Sequence, residues 1–135
     1  MRAPVQLEEL SEKQLEQQAV GTKGKPGLAR ILGWKAYHTL RSKGSEPGYP
    51  DWTLVRDRVV FLELKTARGK VSPAQREWLA ALRDAGAEVY LVRPADLEAL
   101  SDVLARRIGS GRPLLGRSFL DVRLRQELGE TEAAA

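Results

Sequence analysis

The sequence predicts an α/β fold, a short β-sheet flanked by α-helices. Three observations carry this expectation. "DWTLVRDRVVFLELK", Asp51 to Lys65, holds two apolar runs on either side of "RDR", a turn short enough for an antiparallel hairpin. An amphipathic helix pattern and a further apolar strand, "AEVYLV", follow it. Helix-forming stretches stand at both ends of the chain.

Taken in order, residues 7–20 read as a helix, with Ser11 as an internal start before "EKQLEQQAV", a run of good helix formers. "GTKGKPG" breaks it, since its glycines and Pro26 cannot continue a helix, and "LARILGW" resumes apolar spacing up to Gly33. "KAYHTL" is a first strand and "RSKGSEPGYP" a loop. The hairpin strands are Trp52 to Val55 and Val59 to Lys65, followed by "TARGKV", a basic and flexible connection. Ser72, Pro73 and Gln75 form a helix start of the S-x-x-Q type. That helix carries Trp78, Leu79, Leu82 and Ala85 and stops at Gly86. Leu97, Leu100, Leu104 and Ile108 mark a last amphipathic helix after Pro94. Residues 1–128 are expected to form a single domain and 129–135 a frayed tail.

Composition narrows the chemistry. The chain of 135 residues is 42% hydrophobic and 30% charged, values ordinary for a globular protein. It has no cysteine and one histidine, His38, so a disulfide framework and a Cys/His zinc cluster are both excluded. Any metal needs oxygen ligands. No apolar run approaches a membrane span and the first residues contain no signal-like apolar core, so the expected setting is cytoplasmic, in a bacterium or encoded by a phage. The net charge of +4 suits a polyanionic partner. Its distribution says more: Lys23, Lys25, Arg30, Lys35, Arg41 and Lys43 lie in a stretch without an acid, and Arg106, Arg107, Arg112, Arg117, Arg123 and Arg125 share theirs with Asp121 alone.

Asp51, Glu63 and Lys65 interrupt the hairpin's apolar runs. Alternation puts Glu63 and Lys65 on one face, and a hairpin centred on Asp57 sets Asp51 opposite Glu63. Cross-strand partners have Cβ atoms roughly 4.5–5.5 Å apart, close enough for two carboxylates to share one hard cation such as Mg²⁺ or Mn²⁺. A one-residue slip would undo this. Lys65 beside such a pair could orient water or stabilise charge developing on phosphorus. The alternative is that Asp51 caps a turn and Glu63 pairs with Lys65.

In their surroundings these residues resemble the PD-(D/E)XK nuclease superfamily. "GYPDWTLV", "VFLELKTARGKVSPAQREWLAALRDAGAEVYLVRP" and "GWKAYHT" are similar to the VRR-NUC (virus-type replication-repair nuclease) family, over about Ser11 to Leu100. The resemblance implies a restriction-endonuclease-like core, a mixed β-sheet flanked by α-helices, and cleavage of DNA with Mg²⁺ or Mn²⁺. It implies that Asp51, Glu63 and the Leu64 carbonyl are metal ligands and Lys65 the catalytic lysine. Gln75 matches the family's supporting glutamine and equally fits a helix cap. An acid from the first helix would join the metal, Glu12 first and Glu16 second, although "GTKGKPG" departs from the family pattern just after them. His38 can face a substrate phosphate or be a hydrogen-bonded structural histidine. Trp34, Trp52 and Trp78 could stack on bases; Trp78 suits a core position and Trp52 a partly exposed one beside Asp51. Lys23, Lys25, His38, Arg41, Lys43, Arg68 and Lys70 are the candidate DNA contacts.

Three readings compete: a metal-dependent DNA endonuclease, a nuclease-fold module that binds DNA without cutting it, and an interaction subunit docking through its basic tail. The complete Asp51, Glu63 and Lys65 set favours the first. Small members of the family resemble Holliday junction resolvases, which points to four-way junctions in DNA repair or recombination. Paired cuts then require a homodimer, for which Leu97, Leu100, Leu104, Leu114, Leu115, Phe119, Leu120 and Leu124 are the candidate patch, with packing against the chain's own sheet as the alternative.

Overall fold

A computed structural model describes residues 9–40, 46–109 and 115–130. The chain order is α1 (Glu12–Ala19), α2 (Leu28–Ile31), β1 (Lys35–His38), β2 (Trp52–Val55), β3 (Val59–Leu64), α3 (Pro73–Asp84), β4 (Glu88–Val92), α4 (Leu97–Ala105) and α5 (Leu115–Glu127), with a 3₁₀ turn at Pro94–Asp96 before α4. The strands form a mixed sheet in the order β1-β2-β3-β4. β1 to β3 are an antiparallel meander, and β4 joins β3 in parallel after crossing over through α3. This is the α/β architecture expected from the sequence.

Alternation divides the sheet into two faces. On one, Trp52, Leu54, Val60, Leu62, Leu64, Tyr90 and Val92 pack with Leu15 and Ala19 of α1, Ala29 of α2, and Leu100, Val103 and Leu104 of α4. On the other, Val89 and Leu91 pack with Leu79 of α3, Val71 and Leu124. Each fully buried leucine contributes roughly 1.5–3 kcal/mol. Leu120 and Leu124 of α5 are both buried, one in each cluster, so that helix is part of the core.

Ser11 starts α1 by a reciprocal cap with Gln14. The "GTKGKPG" break is a tight loop rather than a slack one. Gly21 bridges Pro26, Gly27 N–H donates to Val20 O at 2.9 Å, and Gln17 Nε2 donates to Lys25 O at 2.9 Å. Gly21 has φ +71°, and a Cβ there would come within 2.2 Å of the Gly27 nitrogen. Only glycine fits that approach.

The hairpin turn does more than reverse the chain. Arg56 donates to Leu32 O, Leu104 O and Arg106 O, while Arg58 donates to Val103 O, Arg106 O and the Glu88 carboxylate. Both guanidinium groups lie over the Trp34 ring, 4.5 and 5.1 Å from its centroid, and Trp34 Nε1 also donates to Leu104 O. These groups take up carbonyls that the end of α4 leaves unpaired. The helix expected to reach Ile108 therefore ends at Ala105: Arg106 is extended, and Ile108 is exposed with its N–H donating to Asp57.

At the opposite end, "TARGKV" is not the flexible connection expected. Arg93 Nη1 donates to Thr66 O at 2.6 Å and Gly69 O at 2.8 Å, and its Nε and Nη2 grip both oxygens of Glu127 at 2.9 Å. Arg123 of α5 holds both oxygens of the buried Asp96 at 2.9 Å. The second arginine stretch is thus partly structural. The proposed dimer patch is corrected likewise: Leu100, Leu104, Leu120 and Leu124 are buried in the chain's own core, the alternative weighed for them, and Phe119 is exposed. Leu114 lies outside the described residues, as do most of the expected frayed tail, Arg112, and Arg41 and Lys43.

Asp57 makes the turn sensitive to acid. Partial burial works against its charge, but hydrogen bonds from Arg56, the Ile108 amide and its own amide outweigh that and hold its pKa well below the usual carboxylate range. Such a group stabilises the fold above its unfolded pKa of about 3.9, and the contribution is lost as pH falls through the folded value. Thermal denaturation should show wild type more stable than Asp57→Asn at pH 6, with the gap narrowing steadily as pH falls below about 4. A constant gap would remove Asp57 from this role.

Candidate active site

β2 and β3 pair with Trp52 opposite Leu62 and Thr53 opposite Phe61, so one residue further along Asp51 faces Glu63. This is the register that brings the two carboxylates together. Asp51 N–H donates to Glu63 Oε2 at 3.1 Å, and Leu64 N–H donates to Asp51 Oδ2 at 2.9 Å. Each side chain thus reaches the other strand just where the ladder ends. Thr39, following β1, donates its N–H to Asp51 O and its hydroxyl to Pro50 O, fixing the entry to β2 from the other side.

Glu63 is 1% exposed, a carboxylate in the core. Burying such a group is tolerable only when its oxygens are partnered. Gln75 provides one partner: its Nε2 donates to Glu63 Oε1 at 3.0 Å. The same side chain accepts from Ser72 N–H at 2.9 Å while Ser72 Oγ accepts from Gln75 N–H. Gln75 therefore fills both roles left open by the sequence, its oxygen capping α3 and its nitrogen holding Glu63. Gly48 makes the arrangement possible from above. It has φ +88°, and a Cβ there would lie 2.5 Å from Ala74 O.

A cavity of about 510 Å³ opens over this corner, lined by Asp51, Lys65, Lys70, Tyr49, Leu40 and Gln75 among others. Lys65 and Asp51 thus face one space. Arg68, between Lys65 and Lys70 in the chain, is exposed. From the other face of the sheet, Glu16 of α1 approaches His38 at 3.4 Å, and the His38 ring stacks on Trp52 with centroids 4.5 Å apart. Trp52 is buried, not partly exposed, and its Nε1 has no hydrogen-bond partner among the described residues. His38 has the contacts of a structural histidine while keeping a partly exposed edge. Trp34 is buried over the arginine pair, and Trp78 is half-buried against Tyr49 at 5.0 Å. Neither Trp34 nor Trp52 offers a free face for a base.

Burial raises the Asp51 carboxyl above its ordinary pKa and the nearby Glu12 adds to this; the Leu64 amide, Lys65 and His38 oppose without cancelling. Glu16 is also raised, by burial first, with Asp51 and Glu12 adding to it against the pull of His38. Acidic groups from α1 therefore surround Asp51 electrostatically. A cation would relieve that repulsion. Among the described residues, no three or more His, Cys, Asp or Glu side chains are grouped so as to hold a metal ion. Asp51 and Glu63 still fit a hard cation of the kind bound by one or two carboxylates and completed by water and substrate oxygens. Lys23 and Lys25 are exposed at the tip of the "GTKGKPG" loop, on the chain just beyond α1.

Two substitutions probe the construction. Gln75→Glu keeps an acceptor for Ser72 but loses the donor to Glu63 and sets two carboxylates together. Without divalent ions it should lower stability by about 1–3 kcal/mol in denaturant titration, beyond the ~1 kcal/mol of a cap lost in Ser72→Ala. Equal losses would make Gln75 a cap alone. Gly48→Ala should lower stability by about 2 kcal/mol or more, because strain at positive φ adds to overlap with α3. A neutral result would contradict that close approach.

Comparison with known families agrees with this geometry. No curated protein and no solved structure matches the chain. The sequence model of the VRR-NUC domain matches residues 2–96, which includes α1, β1 to β4, Asp51, Glu63, Lys65 and Gln75. With most of its length so matched, the chain belongs to the VRR-NUC domain family, a nuclease family.

Proposed function

We propose that this nuclease is a DNA endonuclease that hydrolyses phosphodiester bonds with Mg²⁺ or Mn²⁺ at Asp51 and Glu63. The observation that carries the reading is the pairing of the buried Glu63 with Asp51, which lines a cavity together with Lys65. Asp51, Glu63 and the Leu64 carbonyl would hold the ion, with Glu12 or Glu16 of α1 as the nearby acids. The ion would supply charge neutralisation and Lewis-acid activation of the scissile phosphate.

The chain's own groups have separable tasks. Gln75 fixes one oxygen of Glu63 and the Asp51 amide the other, so the carboxylate is oriented before substrate arrives. Lys65 sets a cation where negative charge grows on the phosphorus oxygens as water attacks and the bond to the leaving oxygen breaks; the attacking water's proton passes to solvent, and the leaving oxygen takes a proton from solvent. Arg68 and Lys70, exposed after β3, meet the phosphates beside the cut. Lys23, Lys25 and the exposed edge of His38 are the further contacts, and binding should weaken steeply with salt.

The finer reading is structure-specific cleavage of branched DNA in replication, repair or recombination, four-way junctions among the substrates. One chain offers one Asp51, Glu63 and Lys65 set, so symmetric cuts on a junction would need two copies.

The test is cleavage of labelled duplex, flap, fork and four-way junction DNA with Mg²⁺, Mn²⁺ or EDTA. Wild type should cut only with a divalent ion. Asp51→Asn, Glu63→Gln and Lys65→Ala should each lose about 100-fold or more in rate while still binding DNA. Near-wild-type turnover by any of them, or cutting in EDTA, would defeat the assignment.

A further inference from the structure

The two flanks of the cavity differ in chemistry. After β3, Lys65 and Lys70 line it, with Arg68 exposed between them in the chain, a cationic side suited to phosphates. On the other side Leu40 and Tyr49 line it, and Tyr37, on the outer strand β1 that leads to Leu40, is 67% exposed. The strand registers relate this side to the carboxylates. Tyr37 pairs with Thr53 and Thr53 with Phe61, so the three form one row across the sheet. Asp51 and Glu63 form the next row on the same face, two residues along, or roughly 7 Å away.

Among the described residues, no helix packs over that part of the face. α3 covers β3 and β4 through Leu79, Val89 and Leu91, whereas Tyr37, Val55 and Val59 remain exposed. Tyr49 stands edge-on to Phe61 at 6.2 Å and to Trp78 at 5.0 Å, which fixes its ring at the boundary between the covered and open parts. Lys35, in the row beyond Tyr37, is the one charged side chain of the open rows of β1 and β2, and no acid stands among them.

An intact duplex has no use for such a surface, because its bases are stacked on each other and it presents phosphates and groove edges outward. A strand with unpaired bases does, since each base offers a flat face to an aromatic ring while its phosphates need cations. Resting on the nuclease reading above, we propose that Tyr37 stacks an unpaired base of the cleaved strand next to the scissile phosphate. The substrate class of the Asp51–Glu63 site is therefore DNA with an unpaired segment at the cut, such as a flap, fork or single strand, in preference to continuous duplex.

The full-length chain tests this with oligonucleotides carrying 2-aminopurine beside the expected cut, as a single strand, a flap and a continuous duplex. Binding is read in EDTA and cleavage with Mg²⁺ or Mn²⁺, for wild type, Tyr37→Ala and Tyr37→Phe. Because Tyr37 is exposed, truncating it removes little packing. Wild type should quench the unpaired probe and cut the flap in preference to duplex. Tyr37→Ala should lose about tenfold in flap affinity with duplex affinity unchanged, and Tyr37→Phe should keep both. Equal losses on flap and duplex, no loss on either, or a wild-type preference for duplex would overturn the inference. So would light scattering showing a dimer that Tyr37→Ala dissociates with flap binding intact, since the face would then belong to a second copy. Failure of the nuclease reading looks different: no DNA of any shape is cut, while the binding arm in EDTA still decides the stacking.

Discussion

The constraint on which this protein depends is the pairing of β2 with β3 in one register. Sheet alternation has a period of two, so a one-residue slip would exchange the faces of every side chain on one strand. Either Leu54 or the pair Val60 and Leu62 would leave the core, and Asp51 would lose Glu63. Folding and the candidate chemistry are therefore selected by the same contact. The apolar faces enforce the register, and the carboxylates, locked by N–H groups of Asp51 and Leu64 where the strands part, benefit from it. Glu63, 1% exposed, is the most demanding element, and the cap of α3 has been drawn in to satisfy it.

Much of the positive charge has an architectural use. Arg56 and Arg58 close the end of α4, Arg93 ties the segment after Lys65 to α5, and Arg123 fastens α5 to Asp96. A guanidinium can serve several carbonyls and a carboxylate at once, which suits it to joining elements whose ends leave acceptors unpaired. The cations that line the cavity are a smaller set, Lys65 and Lys70, with Arg68 exposed between them in the chain. Net charge alone would have overstated the surface available to a polyanion.

The family match ends at residue 96, yet α4 and α5 beyond it are built into the core. Leu100, Val103 and Leu104 cover one face of the sheet, and Leu120 and Leu124 anchor α5 over its β4 side. Through Glu127 and Arg93, α5 also reaches the loop that follows Lys65. The C-terminal helices therefore support the corner where Asp51 and Lys65 meet.

The sequence by itself determined the elements and the main pair of the site. Periodicity and capping residues located α1 at Ser11, the hairpin at "RDR" and α3 at Ser72, because these are local signals carried by neighbouring residues. Symmetry about Asp57 was enough to set Asp51 against Glu63. What only the tertiary structure decided was which partner each long polar side chain takes. Gln75 could be read as a cap or as a support, and it is both, because its oxygen and nitrogen face different elements. Trp52 beside a polar corner suggested exposure, yet α1 and His38 cover it. The leucines of α4 and α5 suggested a surface for a second copy, and the sheet took them instead. In each case a residue's pattern specifies what it must bury or bond, while the folded arrangement supplies the group that meets it.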